Sequence, residues 1–407
     1  MTTQSQPTLQ NMDAPKAPIA AETPPTRRLV ILTEIIAPYR IPVFNALAQH
    51  AGISLHVIFL AESDASQRQW LIYKDEIQFS FEVLPSWRRR LGKYNCLLNW
   101  GVGRALRGAS PDLIVCGGYN YLASWSCLWW ARRNRVPILL WVESTELDRR
   151  NGHAVVETLK KKFMRECDGF VVPGRSSAEY VRSYEGSRPV FTAPNAVDSE
   201  LFAGRAAAAR RDADINRERL GLPSRFFLFV GRLIPEKGVF DLLQAYGQLS
   251  AEVRSEWGLV FVGDGPARAE LERRASAIEP GAVKIAGFVQ RDELASYYGL
   301  AEMFIFPTHT DPWGLVVNEA LACGLPVIST DVAGCTADLV EDGWNGLVLP
   351  PGDISALAKA IDVMARNFEL REQMARNSLK RVLEYSPAKW AEGMVQAANL
   401  RRRGHND

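Results

Sequence analysis

Short, unbroken apolar runs recur along this chain, and an amphipathic stretch follows almost every one of them. The runs near 28–34, 53–60, 112–116, 137–142 and 169–172 are rich in Val, Ile and Leu. They do not alternate apolar with polar residues, as a strand with one wet face would. Unalternating strands separated by helices mean βα units and a parallel sheet covered on both sides. The rhythm breaks at 203–219, an Ala/Arg/Asp-rich stretch of low apolar content. It restarts with runs near 226–230, 259–262, 283–285, 303–306 and 326–329. The expectation is an α/β chain of two doubly wound, Rossmann-like domains. The chain divides into a polar tail expected to be disordered (1–26), a first domain (27–200), a linker (201–220), a second domain (221–385) and a C-terminal helix and tail (386–407), the helix packing back on the first domain. A helix is expected over 95–108. In open parallel sheets ligands bind beyond the carboxyl ends of the strands, so the cleft between the domains is the default site.

With 407 residues, each domain has room for its own core. No apolar run approaches the ~18 residues of a spanning helix, and the proline-containing polar start does not read as a secretory signal. Six cysteines (Cys96, Cys116, Cys127, Cys167, Cys323, Cys335) form no CxxC pair, which suits reduced thiols and a cytoplasmic location. No GxGxxG follows a strand, no phosphate-binding GxxxxGK[ST] occurs, and neither GxSxG nor HExxH is present. Asp212 and Asp214 form the one Asp-x-Asp pair. They lie in the charged linker rather than at a strand end, so no metal site and no cofactor are expected.

The net charge of +2 hides an asymmetry. Residues 27–200 hold 23 Lys and Arg against 17 Asp and Glu, whereas 221–397 hold 16 against 23. The basic half also carries seven of the eleven tryptophans, several beside arginines (Trp87 before Arg88–Arg90, Trp129 and Trp130 before Arg132). Tryptophan next to Lys and Arg suits an anionic membrane surface. No nucleic-acid motif accompanies the charge, so nucleic acid is not an expected partner.

Three segments at expected strand exits carry chemistry. In the first, Gly231-Arg232-Leu233 leads to Glu236-Lys237-Gly238, placing two cations five residues apart where a diphosphate can sit between a planar fork and a point charge. The second, Gly263-Asp264-Gly265-Pro266, is a tight turn starting a helix; a plain turn is the equal alternative. The third runs from Pro307 through Asp311, Trp313, Gly314 and Leu315 to Glu319, opening a helix whose first N–H groups can face an anion.

Asp311-Pro-Trp-Gly-Leu-Val-Val-Asn-Glu319 resembles the E-x7-E region of the retaining glycosyltransferases of family 4, which have the GT-B fold. Gly231-Arg232, Glu236-Lys237-Gly238, Gly263-Asp264-Gly265, Gly287-Phe288-Val289 and Pro194-Asn195-Ala196 match in the family's order. The resemblance implies a nucleotide-sugar donor and a glycan or lipid-linked acceptor, in synthesis of a surface polysaccharide or lipopolysaccharide. Arg232 and Lys237 would neutralise the leaving diphosphate, completed by N–H groups near Gly314 and Leu315. Glu319 would bind ribose hydroxyls, Phe288 and Val289 would line the base, and Gly231 and Gly265 would shape the donor loops. Asp311 stands where the family has its first Glu and would touch the donor sugar. On the acceptor side, Arg40 can contact a phosphate or lie as a surface arginine. Glu143, where many relatives have His, can contact sugar or acceptor hydroxyls, and Gly118 lines the same side. Two alternatives remain at this level: another GT-B sugar-nucleotide enzyme, such as an epimerase or glucan synthase, or a catalytically silent, partner-binding subunit.

Overall fold

Seven parallel strands form the first sheet. A computed structural model of the protein describes residues 26–64, 69–91, 94–146, 154–278 and 281–400; the expected tail lies, apart from Thr26, outside them. The first domain runs β1 (Arg27–Thr33), α1 (Ile41–Ala48), β2 (Ile53–Phe59), β3 (Ser80–Val83), β4 (Ser86–Leu91), β5 (Tyr94–Asn99), α2 (Val102–Ala109), β6 (Leu113–Cys116), α3 (Leu122–Arg133), β7 (Ile138–Trp141), α4 (Ala154–Glu166), β8 (Gly169–Val172), α5 (Arg175–Tyr184) and β9 (Val190–Thr192). Its sheet has the order β3-β2-β1-β6-β7-β8-β9, while β4 and β5 form a separate antiparallel ribbon. Every residue of β6, β7 and β8 is buried, as the unalternating runs require.

The second domain comprises α6 (Ser199–Arg211), α7 (Ala213–Leu220), β10 (Phe226–Val230), α8 (Val239–Gly247), α9 (Ala251–Glu256), β11 (Gly258–Val262), α10 (Arg268–Ala275), β12 (Val283–Ile285), α11 (Arg291–Leu300), β13 (Met303–Phe306), α12 (Leu315–Ala322), β14 (Val327–Thr330), α13 (Thr336–Leu339), β15 (Gly346–Leu349), α14 (Ile354–Arg366) and α15 (Phe368–Val382). Its parallel sheet has the order β12-β11-β10-β13-β14-β15. In both sheets the strand order reverses beside the first strand, which puts a crevice at the carboxyl edge.

Two expectations change. The stretch read as a linker is helical: α6 and α7 pack Phe202, Ala206, Ala209 and Leu220 into the second domain's core. Small alanines on the buried side of α6 let it lie close to α11, so low apolar volume marks tight packing here and not an open tether; the Cα of Ala206 would lie only 2.8 Å from a Cβ on Gly299. Within the helix expected over 95–108, the first part is instead β5, paired residue by residue with β4, and the helix starts only at Val102. Gly101, at φ +87°, makes the break.

The C-terminal helix α16 (Pro387–Ala398) does return to the first domain, capped by the Ser386 hydroxyl, which accepts the Lys389 N–H. Its fully buried Trp390 lies 5.7 Å from Phe44 and 5.5 Å from Trp141. A Cβ on Gly393 would lie 2.2 Å from the Thr192 carbonyl, so glycine is what lets α16 reach β9.

Candidate functional site

The loops leaving β10, β11, β12, β13 and β14 are sewn together by hydrogen bonds along one sheet edge. Gly231 N–H donates to Val262, Leu233 N–H to Asp264, and Gly263 N–H to Gly287. The Glu236 carbonyl accepts both the His309 N–H and the Thr308 hydroxyl; the Thr308 carbonyl in turn accepts the Thr330 hydroxyl. His309 Nε2 is 2.6 Å from Asp241 of α8. Glycine is what allows the closest of these approaches. A Cβ on Gly263 would lie 1.8 Å from the Gly231 carbonyl, and one on Gly238 1.9 Å from that of Pro307. The edge is therefore a fixed surface holding side chains in place.

Lys237 ends a short 3-10 turn (Pro235–Lys237). Its ammonium donates to Asp311 Oδ2 at 2.5 Å and to the Thr310 carbonyl at 2.9 Å. Asp311 Oδ1 accepts the Trp313 N–H. The shorter carboxylate at this position thus serves as partner to Lys237 and as cap to the following turn. Arg232 is exposed and enters no ion pair among the described residues, leaving its guanidinium available. Gly314, at φ +95°, opens α12 and lies against the Phe306 ring. The Leu315 and Val316 N–H groups precede the first bond of α12, which runs from the Val317 N–H to the Gly314 carbonyl.

Glu319 sits one turn into α12 and accepts the Tyr298 hydroxyl at 2.8 Å. Burial pushes its carboxyl up to about 7, against the opposite pull of that hydroxyl. It lines a cavity together with Phe288, Val289 and, from the first domain, Tyr39, Trp70 and Tyr73. Phe288, Val289 and Glu319, expected around one nucleoside, therefore do meet. The cavity is closed at one side by Arg291, which grips Glu76 at 2.5 and 2.8 Å and stacks over Tyr73 at 3.8 Å. Gly265 stands with its Cα side against the Leu233 carbonyl, where no Cβ fits.

On the opposing edge the expectation for Arg40 changes. Arg40 is not a loose surface arginine. It lies over the Trp141 ring at 4.2 Å and pairs with Glu143, both carboxylate oxygens at 3.3 Å. Glu143 also accepts from Asn195 Nδ2. The Asn195 carbonyl accepts from Asn318 Nδ2, and Asn318 Oδ1 accepts from Trp313 Nε1. This chain of contacts joins the Arg40–Glu143 pair to α12 across the two domains. Gly118, past β6, faces open space.

Sequence reasoning did not single out Asn318, Tyr298, Trp70 or Arg291. Asn318 lies inside the segment that carried the resemblance, yet reads there as an ordinary helical residue. It is fully buried, with both ends of its amide used. Asn318→Leu leaves the Trp313 indole N–H and the Asn195 carbonyl unsatisfied, and unfolding in urea should show a loss of about 2–4 kcal/mol.

Two family models match: "Glycosyl transferases group 1" over residues 211–381 and "Glycosyltransferase Family 4" over 43–201. An alpha-D-kanosaminyltransferase of Streptomyces kanamyceticus is 36% identical over 182 residues, 44% of this chain and 46% of that protein. A putative teichuronic acid biosynthesis glycosyltransferase, TuaC, of Bacillus subtilis is 36% identical over 147 residues, 36% of this chain and 34% of its own length. The chain thus matches less than half the length of either relative. Among solved structures, Anabaena HepE in complex with UDP superposes with a TM-score of 0.71 at 19% identity, covering 91% of this chain and 99% of that one.

Proposed function

From the premise that the chain belongs to the family 4 glycosyltransferases with the GT-B fold, we propose that it transfers a sugar from a nucleoside-diphosphate donor to an acceptor hydroxyl with retention at the anomeric carbon. The observation that carries this reading is the single sheet edge that holds an exposed Arg232, Lys237 and the start of α12 next to a cavity lined by Glu319, Phe288 and Val289. Donor binding in HepE, which has been solved with UDP and with UDP-glucose, supports the same use of this fold. The similarity to TuaC, named a putative teichuronic acid biosynthesis glycosyltransferase, supports an acceptor in cell-surface polysaccharide synthesis.

In this reading Phe288 and Val289 cover the base and Glu319 accepts the ribose hydroxyls. Arg232 and Lys237 face the diphosphate, as do the α12 N–H groups near Gly314 and Leu315. The anomeric C–O bond breaks with its electron pair passing to the diphosphate, where cations and a helix start stabilise the developing charge. The acceptor oxygen enters on the same face, and its proton passes to the leaving phosphate oxygen. No metal takes part. In the same reading Asp311, held by Lys237, touches the donor sugar, and the Arg40–Glu143 pair orients the acceptor. Proton NMR of the product tests the stereochemistry: the donor's anomeric configuration is expected to persist. Inversion would overturn retention, and a free epimerised sugar nucleotide would favour the epimerase alternative.

The raised carboxyl of Glu319 gives a pH signature. Its ionised form is the better acceptor for two hydroxyls, and the empty site ionises only near 7. Nucleoside-diphosphate affinity should fall about tenfold from pH 8 to pH 6 as that fraction protonates. In Glu319→Gln, affinity is lower throughout, and this component of the pH dependence is gone, as calorimetry at the two pH values would read.

A further inference from the structure

Between Val83 and Val142 the chain carries nine Lys and Arg and a single acid, Asp112, which Arg28 holds at 2.9 Å. The segment contains the β4–β5 ribbon, α2 and α3, and it leaves Trp87, Trp100, Leu122 and Trp129 exposed, at 44, 57, 65 and 65%. On α3, Leu122, Ser126, Trp129 and Arg133 recur at i, i+4, i+7 and i+11, one stripe along the helix. The opposite side, with Ala123, Cys127 and Ala131, is buried in the domain core. α2 lies alongside: a Cβ on its Gly103 would stand 3.5 Å from Trp130 and 3.8 Å from Arg107. Both helices precede strands of the parallel sheet and begin at its carboxyl edge. Trp100, whose N–H donates to Pro85, and Leu122 therefore mark the end of this face nearest the cleft.

Arg104, Arg107, Arg133 and Arg135 are exposed, and none enters an ion pair among the described residues. Arg133 lies 5.8 Å from the Trp129 ring. Arg132 and Arg88 are engaged by Glu166 and Asp64 and do not count toward the free charge. Glu82 lines the same groove as Trp100 and Arg104 and lies 3.3 Å from His56. A soluble polyanion would require the arginines only. Exposed tryptophan and leucine interleaved with unpaired arginine match a lipid headgroup layer, where rings sit at the interface and guanidinium groups meet phosphate.

We propose that the α2–α3 face docks on an anionic bilayer, seating Trp100, Leu122 and Trp129 at headgroup depth with Arg104, Arg107 and Arg133 on lipid phosphates. Docking there sets the cleft edge of the first domain beside the lipid surface. The surface is independent of the proposed chemistry, and its test reads binding alone.

The test is flotation of the full chain with vesicles of phosphatidylcholine, alone or with about a third phosphatidylglycerol. The protein should float with the anionic vesicles only, and high salt should release it. Arg104→Glu with Arg107→Glu should lower the partition coefficient by about fivefold or more per arginine. Leu122→Ser with Trp129→Ser should lower it by roughly tenfold or more. Both pairs are exposed, so melting temperatures should be unchanged; brominated lipid should quench wild-type tryptophan emission more strongly than that of the Trp129 variant. Absence of flotation overturns the proposal, as does flotation unaffected by either pair of substitutions. Retention on heparin without flotation also overturns it, in favour of a soluble polyanion.

Discussion

Lys237→Ala is expected to lower turnover by about 10²–10³-fold, measured as nucleoside-diphosphate release at saturating donor. The ammonium stands 2.5 Å from Asp311, in a domain with more acids than bases. Its removal takes a positive charge from the leaving diphosphate and leaves the Asp311 carboxylate uncompensated beside it. Both changes act where charge develops, so kcat should fall more than donor affinity. Lys237→Arg should recover little of the rate. The Asp311 and Thr310 oxygens hold a compact ammonium, and a planar fork does not fit the same two acceptors. The fold should survive both changes, because Lys237 is partly exposed on a loop whose shape is set by Gly238 and the Glu236 carbonyl.

Gly263→Ala should have the largest effect on stability, a loss of about 3 kcal/mol or more in denaturant unfolding. Gly263 adopts φ +141°, and its added Cβ would be placed 1.8 Å from the Gly231 carbonyl. That obstacle is backbone, and it belongs to the loop that carries Arg232. Relief of the clash must move the loop, so nucleoside-diphosphate binding should weaken even where the variant remains folded. Gly108→Ala is the matched control. Gly108 is helical with nothing within 4 Å of an added Cβ, and alanine there should be neutral or stabilising by roughly 0.5–1 kcal/mol.

The two sheets were legible because a strand buried on both faces leaves an unmistakable apolar run; β8 begins and ends where that run does. The loops at the carboxyl edge of the second sheet were legible because their glycines and cations are local in sequence. What escaped was set by distant partners. β5 looks helical until β4 lies beside it, and α6 looks like a tether until its alanines meet α11. Arg40 reads as a surface cation, yet its partner Glu143 is 103 residues away. Asn318 gains its meaning from Asn195, 123 residues distant, and the Glu319 carboxyl owes its high pKa to burial that no local pattern records. Asp311, read as a short substitute for Glu, becomes intelligible only with the ammonium of Lys237 against it.

This sheet edge is expected to bind a nucleoside diphosphate through Arg232 and Lys237. Calorimetric titration of the full chain with UDP, GDP, ADP and TDP tests it without knowledge of the acceptor. One of the four is expected to bind with a micromolar constant, and Arg232→Ala with Lys237→Ala to weaken it by about a hundredfold or more. Binding of none of them, or equal binding by the doubly substituted protein, would contradict the account.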